Sequence, residues 1–260
     1  GLAWAGFVRT VPPDAGTRLS GARLLASIGK YDEAIATCDE LLDEQPDSLD
    51  ARVFKATFLS LAERNDAALA LYDDVLATAG DALDEPTRRD LIQDRASVLL
   101  AAGRRAEFEE VRAELARDPA DPRPWALLGL RAESDGDWER AASAYRAVLE
   151  RTPEDDRANK RLLYSLLQAG AAALADGRLP QAAKRFDEAR LVRPDYAPSH
   201  LQAADVRRRM GEDEKAVAAL ADAVALDPEA VRELLAADVK AWVRYHDRAV
   251  LAGLCPETRR

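Results

Sequence analysis

The sequence predicts an all-α protein, a right-handed α-solenoid of six helical hairpins closed by a C-terminal capping helix. Three observations carry this expectation. A small residue recurs at Ala34, Ala68, Ala141, Ala182 and Ala216, with Phe108 in that place in a weaker copy, so successive intervals are 34, 40, 33, 41 and 34 residues. Before most of these stands a glycine, at Gly29, Gly103, Gly136, Gly177 and Gly211, where the left-handed backbone that ends a helix costs other residues a steric penalty. Closing positions Pro46, Gly80, Pro119, Pro153, Pro194 and Pro228 keep the same beat. A period of this length marks stacked repeats, each unable to cover its own apolar face and each leaning on its neighbours.

Along the chain, residues 1–16 form an apolar segment and a short Pro-containing linker. The run GLAWAGFV carries no charge before Arg9. Eight residues cannot span a bilayer, and three readings stand side by side: the last turns of a signal-anchor, with a membrane tether through a segment preceding residue 1, a strand or helical turn tucked against the first hairpin, or an occupant of the chain's own concave side. The repeats are expected at about 17–48, 49–80, 87–120, 122–155, 156–196 and 197–228. In the fourth, Trp125, Leu128, Gly129 and Ala132 recur three and four apart ahead of the turn, and Ala141, Tyr145 and Val148 follow it, giving one buried face to each helix. Repeat two carries Glu63 where the turn glycine is usual, and repeat three carries Phe108 in the small-residue place, so both are expected to be locally distorted. Extra residues near 79–86 lengthen one connection, while 155–177 reads as a first helix longer by about two turns. Residues 229–252 read as the capping helix, with Val231, Leu235, Val239, Trp242, Val243 and Val250 on one side, and 253–260 as a tail.

Trp125, Leu128, Gly129, Ala132, Gly136, Trp138, Ala141, Tyr145, Val148 and Pro153 stand at the signature places of the tetratricopeptide repeat (TPR) family, which the chain resembles over about 17–228. The resemblance implies a concave groove, lined by outward residues of the first helices, where peptides bind. Carried over residue by residue, its lining is Leu19, Arg23 and Ser27 in repeat one and Val53, Thr57 and Leu61 in repeat two. Repeat three gives Gln93, Ser97 and Leu100, and repeat four Ala126, Leu130 and Glu133. Repeats five and six add Leu167, Ala171 and Leu174, then Leu201, Asp205 and Arg208. This line lacks the Lys and Asn with which chaperone-binding TPR domains clamp a C-terminal carboxylate. The apolar stub followed by repeats is also similar in layout to membrane-anchored proteins of the lipopolysaccharide assembly protein B type, whose Cys-x-x-Cys metal module has no counterpart here.

Composition narrows the function. The 260 residues hold 47 acidic and 37 basic side chains, a net charge of −10. Nucleic acid is disfavoured as a partner, since phosphate binding needs a basic stripe. Residues 1–86 hold 7 Lys/Arg against 16 Asp/Glu, so a basic partner suits the N-terminal third. Cys38, Cys255, His200 and His246 show no metal-ligand or nucleophile spacing, and the paired acids Asp32/Glu33, Asp73/Asp74 and Asp155/Asp156 fall at turns and helix starts, where negative charge complements the helix dipole. No catalytic residue, cofactor site or metal site is predicted. The expectation is a noncatalytic scaffold or adaptor, an assembly or accessory subunit of a larger bacterial complex that binds a peptide or helix in the groove. The alternative is a regulatory TPR module of a membrane-anchored or multidomain enzyme.

Overall fold

The computed structural model describes residues 14–79 and 83–237, with the side chains of residues 230 and 234–237 outside that description. The expectations for the apolar N-terminal stub, for the capping helix beyond residue 237 and for the tail lie outside the described residues. Among those described there are thirteen α-helices and no strand, and no helix is long and apolar enough to cross a membrane.

The chain divides between Asp118 and Pro119 into two compact units. The first holds α1 (Ala15–Ser27), α2 (Tyr31–Glu44), α3 (Leu49–Leu61), α4 (Asn65–Thr78), α5 (Glu85–Ala101) and α6 (Arg105–Leu115). The second holds α7 (Arg123–Ser134), α8 (Trp138–Arg151), α9 (Asp156–Ala175), α10 (Leu179–Val192), α11 (Ala197–Arg209), α12 (Asp213–Leu226) and α13 (Pro228–Ala237). Within each unit every helix packs mainly on its neighbours in sequence, the pattern of a stack of hairpins.

The recurring small residue marks the closest approach of the two helices of a hairpin. Ala34, Ala68, Ala141, Ala182 and Ala216 are fully buried, and so is Phe108. A second pair of places works with it. In α7, a Cβ added to Gly129 would lie 2.5 Å from the Tyr145 ring, and in α9 one added to Gly170 would lie 2.5 Å from Phe186. Each ring therefore rests directly on helix backbone, and burying each contributes about 1.5–3 kcal/mol. The equivalent places hold Ala56 and Tyr72, Ala204 and Leu220, and Ala22 and Cys38, all buried, while in repeat three Ala96 is buried and Arg112 only half-buried.

The expected distortion of repeat two is absent at its turn. Glu63 takes φ 60°, beside 72° to 81° for the five turn glycines, and it keeps their hydrogen bonds: Arg64 N donates to the Leu59 carbonyl at 2.8 Å, as Arg104 N does to Leu99 at 2.9 Å. Packing on both sides holds the turn in place, at the steric cost a Cβ brings to the left-handed region. In repeat three the first helix keeps the pattern, since α5 buries Leu91, Ala96, Val98 and Leu99 where α3 buries Ala51, Ala56, Phe58 and Leu59, but the second departs from it: α6 has 11 residues against 14 in α4 and buries only Phe108 and Leu115. Part of the extra length before it is helical, because α5 has 17 residues against 13 for α3.

Neighbouring hairpins of the first unit are tied by ion pairs at repeating places. Lys55 meets Asp39 at 2.5 Å, Arg95 meets Asp73 at 2.6 Å, and Arg64 meets Asp32 at 2.6 Å. Much of the acidic excess is thus engaged within the fold, although each half-exposed pair contributes only about 0–1 kcal/mol.

In the second unit the long helix produces a step. α9 has 20 residues against 13 in α11, and the surplus lifts the α9–α10 hairpin past the α7–α8 turn. Asp32, second residue of α2, pairs with Arg64, which opens the next second helix; the equivalent Glu139 pairs at 2.7 Å with Arg185, seven residues beyond the equivalent Arg178. Two further contacts agree. Arg161, near the start of α9, pairs with Glu133 at the end of α7 at 2.5 Å, and Tyr164 meets Trp138, the first residue of α8, edge to face with ring centres 5.6 Å apart. At the far end α13 begins on Pro228, whose missing N–H is harmless there, and its Val231 joins the core formed by Ala203, Ala216, Leu220 and Ala223.

Candidate functional site

The candidate surface is the outward side of the first helices. In the first unit the helices concerned are α1, α3 and α5. Leu19 does not take part: it is 7% exposed and belongs to the core. Arg23 is exposed and its guanidinium sits 5.7 Å from the centre of the Phe54 ring, a cation–π contact. Ser27 is exposed and its hydroxyl donates to the Leu24 carbonyl at 2.7 Å. On α3, Val53 is half-buried and Leu61 is 49% exposed. The Thr57 hydroxyl donates to the Val53 carbonyl at 3.0 Å and lies 3.1 Å from the Tyr72 hydroxyl. Burial pushes that phenol up to about 12, so it stays neutral. Gln93, Ser97 and Leu100 are half-buried, with the Ser97 hydroxyl donating to the Gln93 carbonyl. Of the predicted lining in this unit, Arg23 is the only charged member, and it is met by an aromatic face.

In the second unit Ala126, Leu130 and Glu133 are half-buried on α7. Glu133 is held by Arg161, and the Tyr145 hydroxyl shares this corner; burial first, and then the Glu133 charge, raises its pKa. Leu167 and Leu174 on α9 and Leu201 on α11 are half-buried against one core, while Ala171 is exposed. Asp205 pairs with Arg208 at 2.7 Å and with Arg209 at 2.8 Å, so charges close the α11 end of the surface.

The structure brings Leu167, Leu174 and Leu201 together but does not extend Leu130 into their line. With Arg161 level with Glu133, Leu167 and Leu174 stand beyond the end of α7. Several side chains escaped the sequence reading. Tyr164 is 49% exposed on α9, and only the direction of the step would have revealed it. Trp125, expected in the core, lies on the surface with the Arg151 guanidinium 5.0 Å above its ring, while Leu127 is fully buried. Leu24 on α1 and Ile28, which caps its C-terminus, are both exposed, an i, i+4 spacing visible in the sequence.

Chemically reactive groups sit elsewhere. Cys38 is buried in the first hairpin, and desolvation pushes its thiol up to about 11, which keeps it protonated and unreactive. His200 is buried at the start of α11. Arg190 Nε donates to its Nδ1 at 3.1 Å, and because a guanidinium can only donate, Nε2 carries the proton and gives it to the Pro194 carbonyl at 2.9 Å. That is a packing role. No group of three or more His, Cys, Asp or Glu among the described residues is arranged to hold a metal. Cys255 and His246 lie outside those residues.

Three tetratricopeptide repeat models match the sequence, over residues 25–85, 126–175 and 197–229, together more than half of its length. No curated protein matches it. Among solved structures, PilW, described as a widely conserved type IV pilus biogenesis factor, is 16% identical with a TM-score of 0.51, over 85% of this chain and 97% of its own. A chain of the APC/C hetero-tetramer Cut9-Hcn1 is 17% identical with a TM-score of 0.50; the match covers 88% of this chain and only 43% of that one. The Pseudomonas aeruginosa pilF structure is 17% identical with a TM-score of 0.49, over 85% of this chain and 96% of its own. At such identities the likeness concerns the fold alone.

Proposed function

Because the chain belongs to the tetratricopeptide repeat family of protein-interaction scaffolds, we propose that it is a noncatalytic adaptor that seats a segment of a partner polypeptide on its first-helix side, as an assembly or accessory subunit of a larger complex. The observation that carries this reading is the row Leu167, Leu174 and Leu201, apolar side chains rooted in one core and partly open to solvent. A fixed apolar row takes the hydrophobic side of a helix or an extended segment through area and shape. It is rigid before binding, so little conformational freedom is surrendered on association. In the first unit, Leu61 and the Arg23–Phe54 pair offer a similar mix. A basic flank on the partner suits the N-terminal third, where Asp43 and Asp50 are exposed and unpaired among the described residues. Fold likeness to a pilus biogenesis factor and to a chain of a multisubunit complex is in keeping with an accessory role.

Photo-crosslinking in the native host tests the proposal. A benzophenone side chain is placed at Leu61 or Ala171 on the first helices, and at Ser143 or Glu150 on the second. Discrete adducts from the first pair of positions are expected. Adducts confined to Ser143 and Glu150 would move the binding surface to the opposite side and end this reading.

A further inference from the structure

The step in the second unit opens a cleft between α8 and the raised start of α10. Its volume is about 330 Å³ and its lining is Glu139, Arg178, Gln181, Lys184 and Arg185. Residues 178, 181, 184 and 185 follow helical spacing and so share one side of α10. Three cations and one carboxylate form the lining, and Asp176 and Glu188 pair with the two arginines from outside it. Two of the cations are fixed by the fold. Arg185 is held by Glu139 at 2.7 Å and Glu188 at 2.9 Å, and Arg178 by Asp176 and Gln181, both at 2.6 Å. Lys184 is exposed and has no ion-pair partner among the described residues.

The placement runs against local electrostatics. The start of a helix carries partial positive charge and favours acids. The second helices α2, α4, α6, α8 and α12 each have an acidic residue in the first turn, and α10 has none. Glu139 and Asp176 account for Arg185 and Arg178, but no ion pair among the described residues accounts for Lys184, whose charge a bound anion would balance. The cations are strung along roughly 10 Å of helix, the rise of seven residues. That spread matches the spaced carboxylates of an extended chain better than one compact anion.

We propose that this cleft, on the second-helix side and separate from the first-helix surface, docks an acidic peptide segment of a partner protein, its Asp or Glu side chains bridging Lys184 and the outer edges of Arg178 and Arg185. The test is fluorescence anisotropy with fluorescein-labelled hexaglutamate at low ionic strength, where surface charge is least screened. Lys184→Ala is expected to weaken binding by about threefold and Lys184→Glu by about tenfold or more, as for charges at the rim of an interface. Lys215→Glu, the same charge change at an exposed lysine of α12, should leave binding within about twofold of the parent. Both Lys184 side-chain changes lie on the surface, and unchanged far-UV circular dichroism certifies the fold. No binding of hexaglutamate by the parent protein overturns the proposal, and so does an equal loss from Lys215→Glu. Displacement of the probe by inorganic phosphate, but not by glutamate at matched ionic strength, also overturns it, by making the cleft a compact-anion site.

Discussion

Gly129→Ala is the most demanding perturbation of the hairpin architecture. The added methyl would sit 2.5, 2.7 and 2.9 Å from three carbons of the Tyr145 ring, whereas carbon atoms pack best at about 3.5–4.0 Å. The ring must therefore withdraw by roughly 1 Å. It has no room to do so, being 2% exposed and enclosed by Ala132, Ala141, Leu162, Leu163 and Leu166. Such overpacking costs about 1–3 kcal/mol, and the helical preference of Ala over Gly returns about 0.5–1 kcal/mol. Those two figures leave a net loss of about 0–2.5 kcal/mol, centred near 1 kcal/mol. Tyr145→Leu alone leaves a void and also destabilises. The double variant recreates the Ala204 and Leu220 combination of the last hairpin and should recover much of the loss, with a coupling energy of about 1–3 kcal/mol. Urea unfolding followed by circular dichroism reads the totals, and amide exchange in α7 and α8 localises them, since hairpins in a stack can open separately. A Gly129→Ala protein more stable than the parent, or a strictly additive double variant, would refute the claim that this ring rests on backbone.

Glu63→Gly should stabilise the first unit by about 0.5–1 kcal/mol, because the left-handed turn then carries no Cβ, while Gly136→Ala should destabilise the second unit by about 1 kcal/mol; thermal melts of both variants check the opposite signs. The Asp84 carboxylate, which caps α5 and is held by Thr87 below the usual aspartate range, contributes stability that is present above that range and fades as pH falls through it. Asp84→Asn should therefore flatten the stability of α5 between about pH 5 and pH 2, read by amide exchange. Burial of Cys38, its thiol at about 11 in the folded protein, contributes stability that is whole below an unfolded value of about 8.5 and declines as pH rises towards the folded one. In a Cys255→Ala background its reaction with a disulfide reagent at pH 8 should be slow when native and fast in urea; fast native reaction would show that the thiol is not enclosed.

The repeat itself was legible because it rests on small residues at close approach, and a missing side chain is as visible in a sequence as a present one. Ala141 and Gly129 could be read from spacing alone. Glu63 could not, since local chemistry argues against a glutamate with positive φ and only the packing of α3 on α4 imposes it. The length of α9 was readable from its surplus residues, but not the direction in which the surplus displaced its neighbours. Anchoring the alignment on Gly177 set Leu167 level with Ala126 and Ala171 level with Leu130, whereas the Arg161–Glu133 pair puts the start of α9 beside the end of α7. Trp125 was expected inside because its signature place is a core place; it is 37% exposed, beneath Arg151.

The seven surplus residues of α9 amount to nearly a whole number of helical turns, about 10 Å of climb with only some 20° of swivel. The following hairpins were thus carried upward like a shelf moved to a higher slot, still facing the same way. A surplus of five residues would have swung them by about 140° and pointed their apolar stripe at water. Insertion length in such a stack therefore acts as a ratchet with few permitted settings, and each setting creates a new ledge.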